Sequence, residues 1–223
     1  MAASARDDKP DPVRVSSLGL PGVLRRPTTS AVGVVVFAHG SGSSRLSPRN
    51  NFVASALGES GLATLLFDLL TEDEAADRAN VFDIGLLADR LVLAAEWIAR
   101  QSIVARLPLG YFGASTGAAA ALVAAAASPA GCKAVVSRGG RPDLAGAALA
   151  RVEAPTLLIV GGDDPDVLEL NRQAARQLRC EHRLSVVPGA THLFEEPGTL
   201  EAVVDLARRW FLDHLGRPPK GAN

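Results

Sequence analysis

Leu109-Gly110-Tyr111-Phe112-Gly113-Ala114-Ser115-Thr116-Gly117, followed by the apolar run Ala118 to Ala127, decides how this chain folds. Leu109 to Phe112 reads as a short buried strand and Thr116 to Ala127 as a helix apolar on every side. Gly113 to Gly117 therefore has to turn a strand sharply into a helix. A G-x-S-x-G string suits that task, because glycines two before and two after the serine leave room where side chains would collide. Such a turn presents the serine oxygen at the carboxyl edge of a sheet, with a helix N-terminus beneath it that favours developing negative charge. The plainer alternative is a glycine-loosened helix start with Ser115 as its N-cap.

Working outward, short runs rich in Val, Leu and Ile alternate with longer segments of helical period, the rhythm of a mostly parallel sheet with crossover helices on both faces. Strands are expected at Val13–Leu18, Gly22–Arg26, Gly33–Ala38, Ala63–Phe67, Leu109–Phe112, Ala134–Ser137, Thr156–Val160 and Leu184–Val187. The first two are too close for a crossover and form a hairpin, while the other six read as buried parallel strands. Helices are expected over Asn50–Ser60, Val81–Gln101, Thr116–Ala127, Asp143–Ala150, Val167–Arg179 and Thr199–Leu215. Residues 1–12 and 216–223 read as loose tails around a single domain at 13–215.

Composition fits one such domain. The chain has 223 residues, a net charge of -1 and 48% hydrophobic residues. It buries enough apolar area to fold and offers no general attraction to a polyanion, so nucleic acid is not an expected partner. Cys132 and Cys180 form no CxxC pair, which points to a reduced, cytoplasmic setting and no cysteine metal site. The apolar helix is too short to span a bilayer, so no membrane role is expected.

A serine at its ordinary pKa needs a base and a group to orient that base. Downstream, Thr156 to Val160 runs into Gly161-Gly162-Asp163-Asp164-Pro165, and Leu184 to Val187 runs into Pro188-Gly189-Ala190-Thr191-His192. Parallel strands deliver all three loops to one edge, in the order serine, acid, histidine. Asp164 is preferred over Asp163 as the acid, with either free to cap the helix that follows. Backbone N–H groups of Thr116 and Ser41, the latter in His39-Gly40-Ser41-Gly42-Ser43-Ser44, are the expected oxyanion donors. His39 is given a structural role. Arg138, assisted by Arg141 or Arg45, is a candidate clamp for a substrate carboxylate; pairing of an arginine with Asp143 is the alternative.

With these motifs in this order, the chain resembles the α/β-hydrolase superfamily from Val13 to Leu215. Within it, the chain is similar to the small uncapped dienelactone-hydrolase-like group. The resemblance implies Ser115 as nucleophile, His192 as base, Asp164 as orienter and no cofactor or metal. Ser115 stands where dienelactone hydrolases proper carry cysteine, which turns the expectation toward other small carboxylic esters, thioesters or lactones. Similar domains also occur fused to phosphoribosyltransferases. Lids in the superfamily usually follow the sixth strand, and residues 138–155 are too few for one, so an open, shallow pocket is expected. Two other classes compete. A catalytically silent hydrolase-like binding module would keep the fold without the chemistry. An NAD(P)-dependent oxidoreductase would use Gly40-Ser41-Gly42 and Asp68, but the third glycine of that fingerprint is replaced by Arg45, and Tyr111 lacks a lysine four residues on.

Overall fold

The computed structural model describes residues 10–27, 30–128 and 131–216. Eight strands form one sheet: β1 (Asp11–Val15), β2 (Leu20–Arg25), β3 (Gly33–Ala38), β4 (Leu62–Phe67), β5 (Leu109–Ala114), β6 (Cys132–Arg138), β7 (Thr156–Gly161) and β8 (His182–Val187). Their spatial order is β1-β2-β4-β3-β5-β6-β7-β8. β1 pairs antiparallel with β2 and β2 with β4, and every other pairing is parallel. The chain leaves β3 toward β4 on one side and returns to β5 on the other, so the carboxyl ends of β3 and β5 flank the point where the strand order reverses. Open α/β sheets bind ligands there.

Side-chain alternation sends the central strands into two cores. Val34, Val36, Leu65, Tyr111, Val135 and Leu158 face α4 (Ile84–Ile98), α5 (Thr116–Ala127) and α6 (Pro165–Ala175). Val35, Phe37, Leu66, Phe112, Val136 and Ile159 face α1 (Pro48–Glu59) and α7 (Thr199–Leu215). Burial on both sides explains why the central strands read as continuous apolar runs.

Several boundaries differ from the sequence reading. The hairpin turn is Ser16 to Gly19, with both residues at positive φ, so β1 starts at Asp11 and ends at Val15. Asp11 and Pro12 thus belong to the sheet; residues 1–9 and 217–223 of the expected tails lie outside the described residues. β8 is parallel but not buried: as the edge strand it leaves Val186 44% exposed. The long helix expected from Val81 is interrupted. Thr71 and Glu74 close a capping box that starts α2 (Glu72–Ala76), Asp77 caps α3 (Arg78–Phe82), and the Asp83 carboxylate accepts from Leu86 N–H to start α4. Each side-chain cap offers the backbone a local alternative to continuing the helix. Between β6 and β7 lies a 3-10 segment, Pro142–Arg151, broken at Gly146 and packed inward through Ala145, Ala148 and Leu149. No lid rises there.

Gly117 sets how closely α5 approaches β3. A Cβ on it would lie 2.3 Å from the Ala38 carbonyl oxygen and 2.5 Å from that of His39. Gly117→Ala is therefore expected to cost about 1–3 kcal/mol of stability, a fall in Tm of about 2–4 °C per kcal/mol for a chain of this size. Gly58→Ala in α1 is the control, since its Cβ meets nothing within 4 Å and helix propensity favours alanine by about 1 kcal/mol. Thermal unfolding of the two variants checks the contrast.

Candidate active site

Ser115 follows the last residue of β5 with φ 51° and ψ -122°. A non-glycine residue in that region is strained and persists only where neighbours hold it. Here the neighbours are identifiable: Ser115 N–H donates to the Arg138 carbonyl at 3.3 Å, and the Ser115 carbonyl accepts from Ala118 and Arg141 N–H at 3.1 and 3.0 Å. The Ser115 side chain makes no helix-capping hydrogen bond, so the N-cap alternative does not describe it. Its oxygen is left for other work.

The acid loop is set by backbone contacts. Gly162 N–H donates to Val187 O and Asp163 N–H to Ala190 O, and a Cβ on Gly161 would come within 2.2 Å of Ala190 O. That close approach draws the loops after β7 and β8 together. Asp164 occupies the N-cap position of α6 yet makes no capping bond. Its carboxylate instead accepts from His192 Nδ1 at 2.7 Å. Asp163 is exposed. Of the two acids weighed, Asp164 is the one brought to the imidazole.

With Nδ1–H donated to Asp164, His192 Nε2 is the ring atom free to take a proton. The β6 end links the histidine to the serine: Arg138 O accepts from Ser115 N–H, and a Cβ on the adjoining Gly139 would lie 3.7 Å from His192 Cε1. Among the described residues Ser115 Oγ and His192 share no hydrogen bond. Thr116 opens α5, where N–H groups lack helical partners. The Ser41 N–H is not free, because it donates to Thr116 Oγ1 at 3.0 Å. That bond pins the loop after β3 to the start of α5, a contact the sequence did not announce.

The three arginines are not arranged as the expected clamp. Arg141 forms two hydrogen bonds to the Asp143 carboxylate, at 2.9 and 2.8 Å, which is the alternative weighed for it. Arg45 pairs with Asp68 through both its backbone N–H and its guanidinium. Arg138 is 7% exposed. Its guanidinium donates to Leu193 O at 3.5 Å and lies 5.8 Å from the Phe194 ring centre, beneath the loop that carries His192. Burial, and secondarily the Arg49 charge, lower its pKa to about 10. The Arg138 to Phe194 contact supports the histidine loop from below. Asp68, the acid of the dinucleotide alternative, is committed to Arg45, and Tyr111 is buried with its hydroxyl donating to Leu91 O.

His39 joins the loop after β3 to the end of β4. Its Nε2 accepts from Leu69 N–H at 3.2 Å, which leaves Nδ1–H to donate to Gly40 O at 3.0 Å. Burial disfavours the charged ring and lowers its pKa below the ordinary histidine value, against smaller raising effects of the Gly40 carbonyl and Asp68. Because the unfolded chain takes up this proton first, the contribution of neutral His39 is complete above about pH 6.5 and is lost as pH falls below it. Urea unfolding from pH 7.5 to 5.5 should show a steeper loss for the wild type than for His39→Gln, by up to about 1.4 kcal/mol per pH unit.

The Ser115 elbow and the loops after β7 and β8 on an eight-stranded, mostly parallel sheet define an α/β-hydrolase fold. The model of the dienelactone hydrolase family matches residues 20–209, and the chain belongs to that family. A dienelactone hydrolase of known structure from Anabaena variabilis is 54% identical, covers 94% of this chain and 98% of its own, and superposes with a TM-score of 0.88. Est1E from Butyrivibrio proteoclasticus shares the fold at 16% identity and a TM-score of 0.77 over 93% of this chain and 99% of its own; it has also been solved with ferulic acid bound. Two Mycobacterium tuberculosis proteins, each named "Putative phosphoribosyl transferase", are 64% identical over 190 residues, which is 85% of this chain and 43% of theirs. The chain thus spans less than half the length of these curated relatives.

Proposed function

We propose that this chain is a serine hydrolase of small carboxylic esters, thioesters or lactones, acting through an acyl-enzyme on Ser115. The observation that carries this reading is the 2.7 Å Asp164–His192 bond, made at an N-cap position whose carboxylate forgoes its capping bond. A side chain that breaks a local rule to orient a histidine at the sheet edge is used for chemistry.

In the proposed reaction Ser115 Oγ attacks the carbonyl carbon as His192 Nε2 takes its proton, and Asp164 holds the ring and stabilises the imidazolium. The oxyanion is received by Thr116 N–H and by Ser41 N–H once the latter turns from Thr116 Oγ1. Collapse expels the alcohol, protonated by His192. Water, deprotonated by His192, then adds to the acyl carbon and Ser115 leaves as the hydroxyl. The serine-histidine bond closes in the substrate complex, as is common in such sites. Neither a metal nor an organic cofactor takes part. Cys132 offers no rival nucleophile: burial pushes its thiol up to about 12. A panel of chromogenic esters, thioesters and lactones tests the proposal. Hydrolysis at neutral pH that is lost in Ser115→Ala supports it, and a purified protein inert toward the whole panel contradicts it.

A further inference from the structure

Beside the oxyanion loop lies a cavity of about 240 Å³. It is walled by α2 and α3, which follow β4. Leu69 and Leu87 are buried in its lining, Leu70, Ala75 and Val81 continue it, and residues 39–44 form the side toward the serine. The wall is built firmly. Thr71 and Glu74 cap α2 reciprocally, Arg90 pairs with Glu74, and Asn80 Nδ2 donates to the Glu74 carbonyl. Gly40 separates this space from the serine: a Cβ on it would lie 2.9 Å from Ser115 Cβ and 3.7 Å from Oγ.

The chemistry of the lining selects its occupant. The acidic groups at the cavity are Asp68, already tied to Arg45, and Glu72, and no lysine or arginine lines it. A carboxylate entering here would lose water and meet acidic groups without a cation, whereas an alkyl group would gain by leaving water. We propose that this cavity is the subsite for an uncharged aliphatic portion of the substrate, so that neutral esters with a short to medium alkyl group are preferred over anionic ones. The proposal rests on the reading of Ser115 as nucleophile. It reverses the preference for anions that Arg138, Arg141 and Arg45 suggested.

The alkyl group can belong to the acyl or to the alcohol half, and the two arms of one experiment separate these. One arm measures kcat/KM for p-nitrophenyl esters from acetate to decanoate; the other uses alkyl acetates from methyl to octyl. A p-nitrophenyl monosuccinate is compared with the pentanoate. In the arm whose group enters the cavity, kcat/KM should rise roughly fourfold per methylene until the space is filled and then fall. The ratio of hexyl-length to shortest substrate should drop at least about tenfold in Val81→Trp, and the optimum should move to longer chains in Val81→Ala. Where the acyl arm is the one that responds, the monosuccinate should lie at least about tenfold below the pentanoate. A flat profile in both arms, an unchanged ratio and optimum in both Val81 variants, or, where the acyl arm responds, preference for the monosuccinate overturns the subsite. Labelling of Ser115 by a fluorophosphonate alongside such a flat profile overturns the subsite alone, whereas hydrolysis that persists in Ser115→Ala overturns the nucleophile assignment on which it rests.

Discussion

Ser115→Ala and His192→Ala should each lower kcat for ester hydrolysis by about a millionfold, and the double variant should be no slower than either single one. The reason is that attack and proton removal are one event. Without Oγ there is no acyl acceptor, and without Nε2 the hydroxyl keeps its proton and its ordinary, poor nucleophilicity. Removing the second member then removes nothing that still functions. What persists should be the modest catalysis of the Thr116 and Ser41 amides and of substrate binding. Single-turnover release of p-nitrophenol from the wild type and the three variants measures this, with Tm of each as the check on folding. Losses that multiply in the double variant would mean that the two residues act in separate steps.

Asp164→Asn carries the second-largest expected effect, about a ten-thousandfold loss of kcat. The carboxylate accepts from Nδ1 at 2.7 Å and can accept only, which keeps the hydrogen on Nδ1 and the lone pair on Nε2. An asparagine amide can donate to Nδ1 instead and stabilise the opposite tautomer, in which Nε2 bears the hydrogen and cannot act as a base. Asp163→Asn should change kcat by less than about threefold, as expected of an exposed neighbour without a site partner. Equal losses in the two variants would show that the loop as a whole, rather than Asp164, is what the reaction needs.

Much of this was readable in the residues. The double-faced burial of β3 to β7 makes each a largely apolar run, so strand number, order along the chain and parallel sense were legible. The turns of the candidate site were legible for a related reason: a Cβ on Gly117 or Gly161 would come within 2.3 and 2.2 Å of a neighbouring carbonyl oxygen, so these glycines mark the turns at Ser115 and Asp164. Short, polar elements were harder. The capping box of Thr71 and Glu74 was not read from the residues, and Val81 onward carried enough helical period to obscure the break that Asp83 makes. With that segment went the cavity wall. The partners of the arginines were less legible, because a place in sequence near the serine does not disclose them. Asp68 and Asp143 claim two of them, and the side of the sheet that Arg138 faces puts the third under His192.

The bracing of the loop after β3 comes from two sides, the Ser41 amide bonded to Thr116 Oγ1 and the His39 bridge between Gly40 and Leu69. It also places the loop as a shared wall between the serine and the α2–α3 cavity, so the same backbone that would receive the oxyanion borders the space proposed for the alkyl group.

The most direct test of the account is covalent labelling with a fluorophosphonate, followed by mass-spectrometric mapping of the modified peptide. The account predicts one adduct, on Ser115, formed rapidly by the wild type, absent from Ser115→Ala and strongly slowed in His192→Ala. A fully folded wild-type protein that is not labelled, or an adduct that persists in Ser115→Ala, would contradict it.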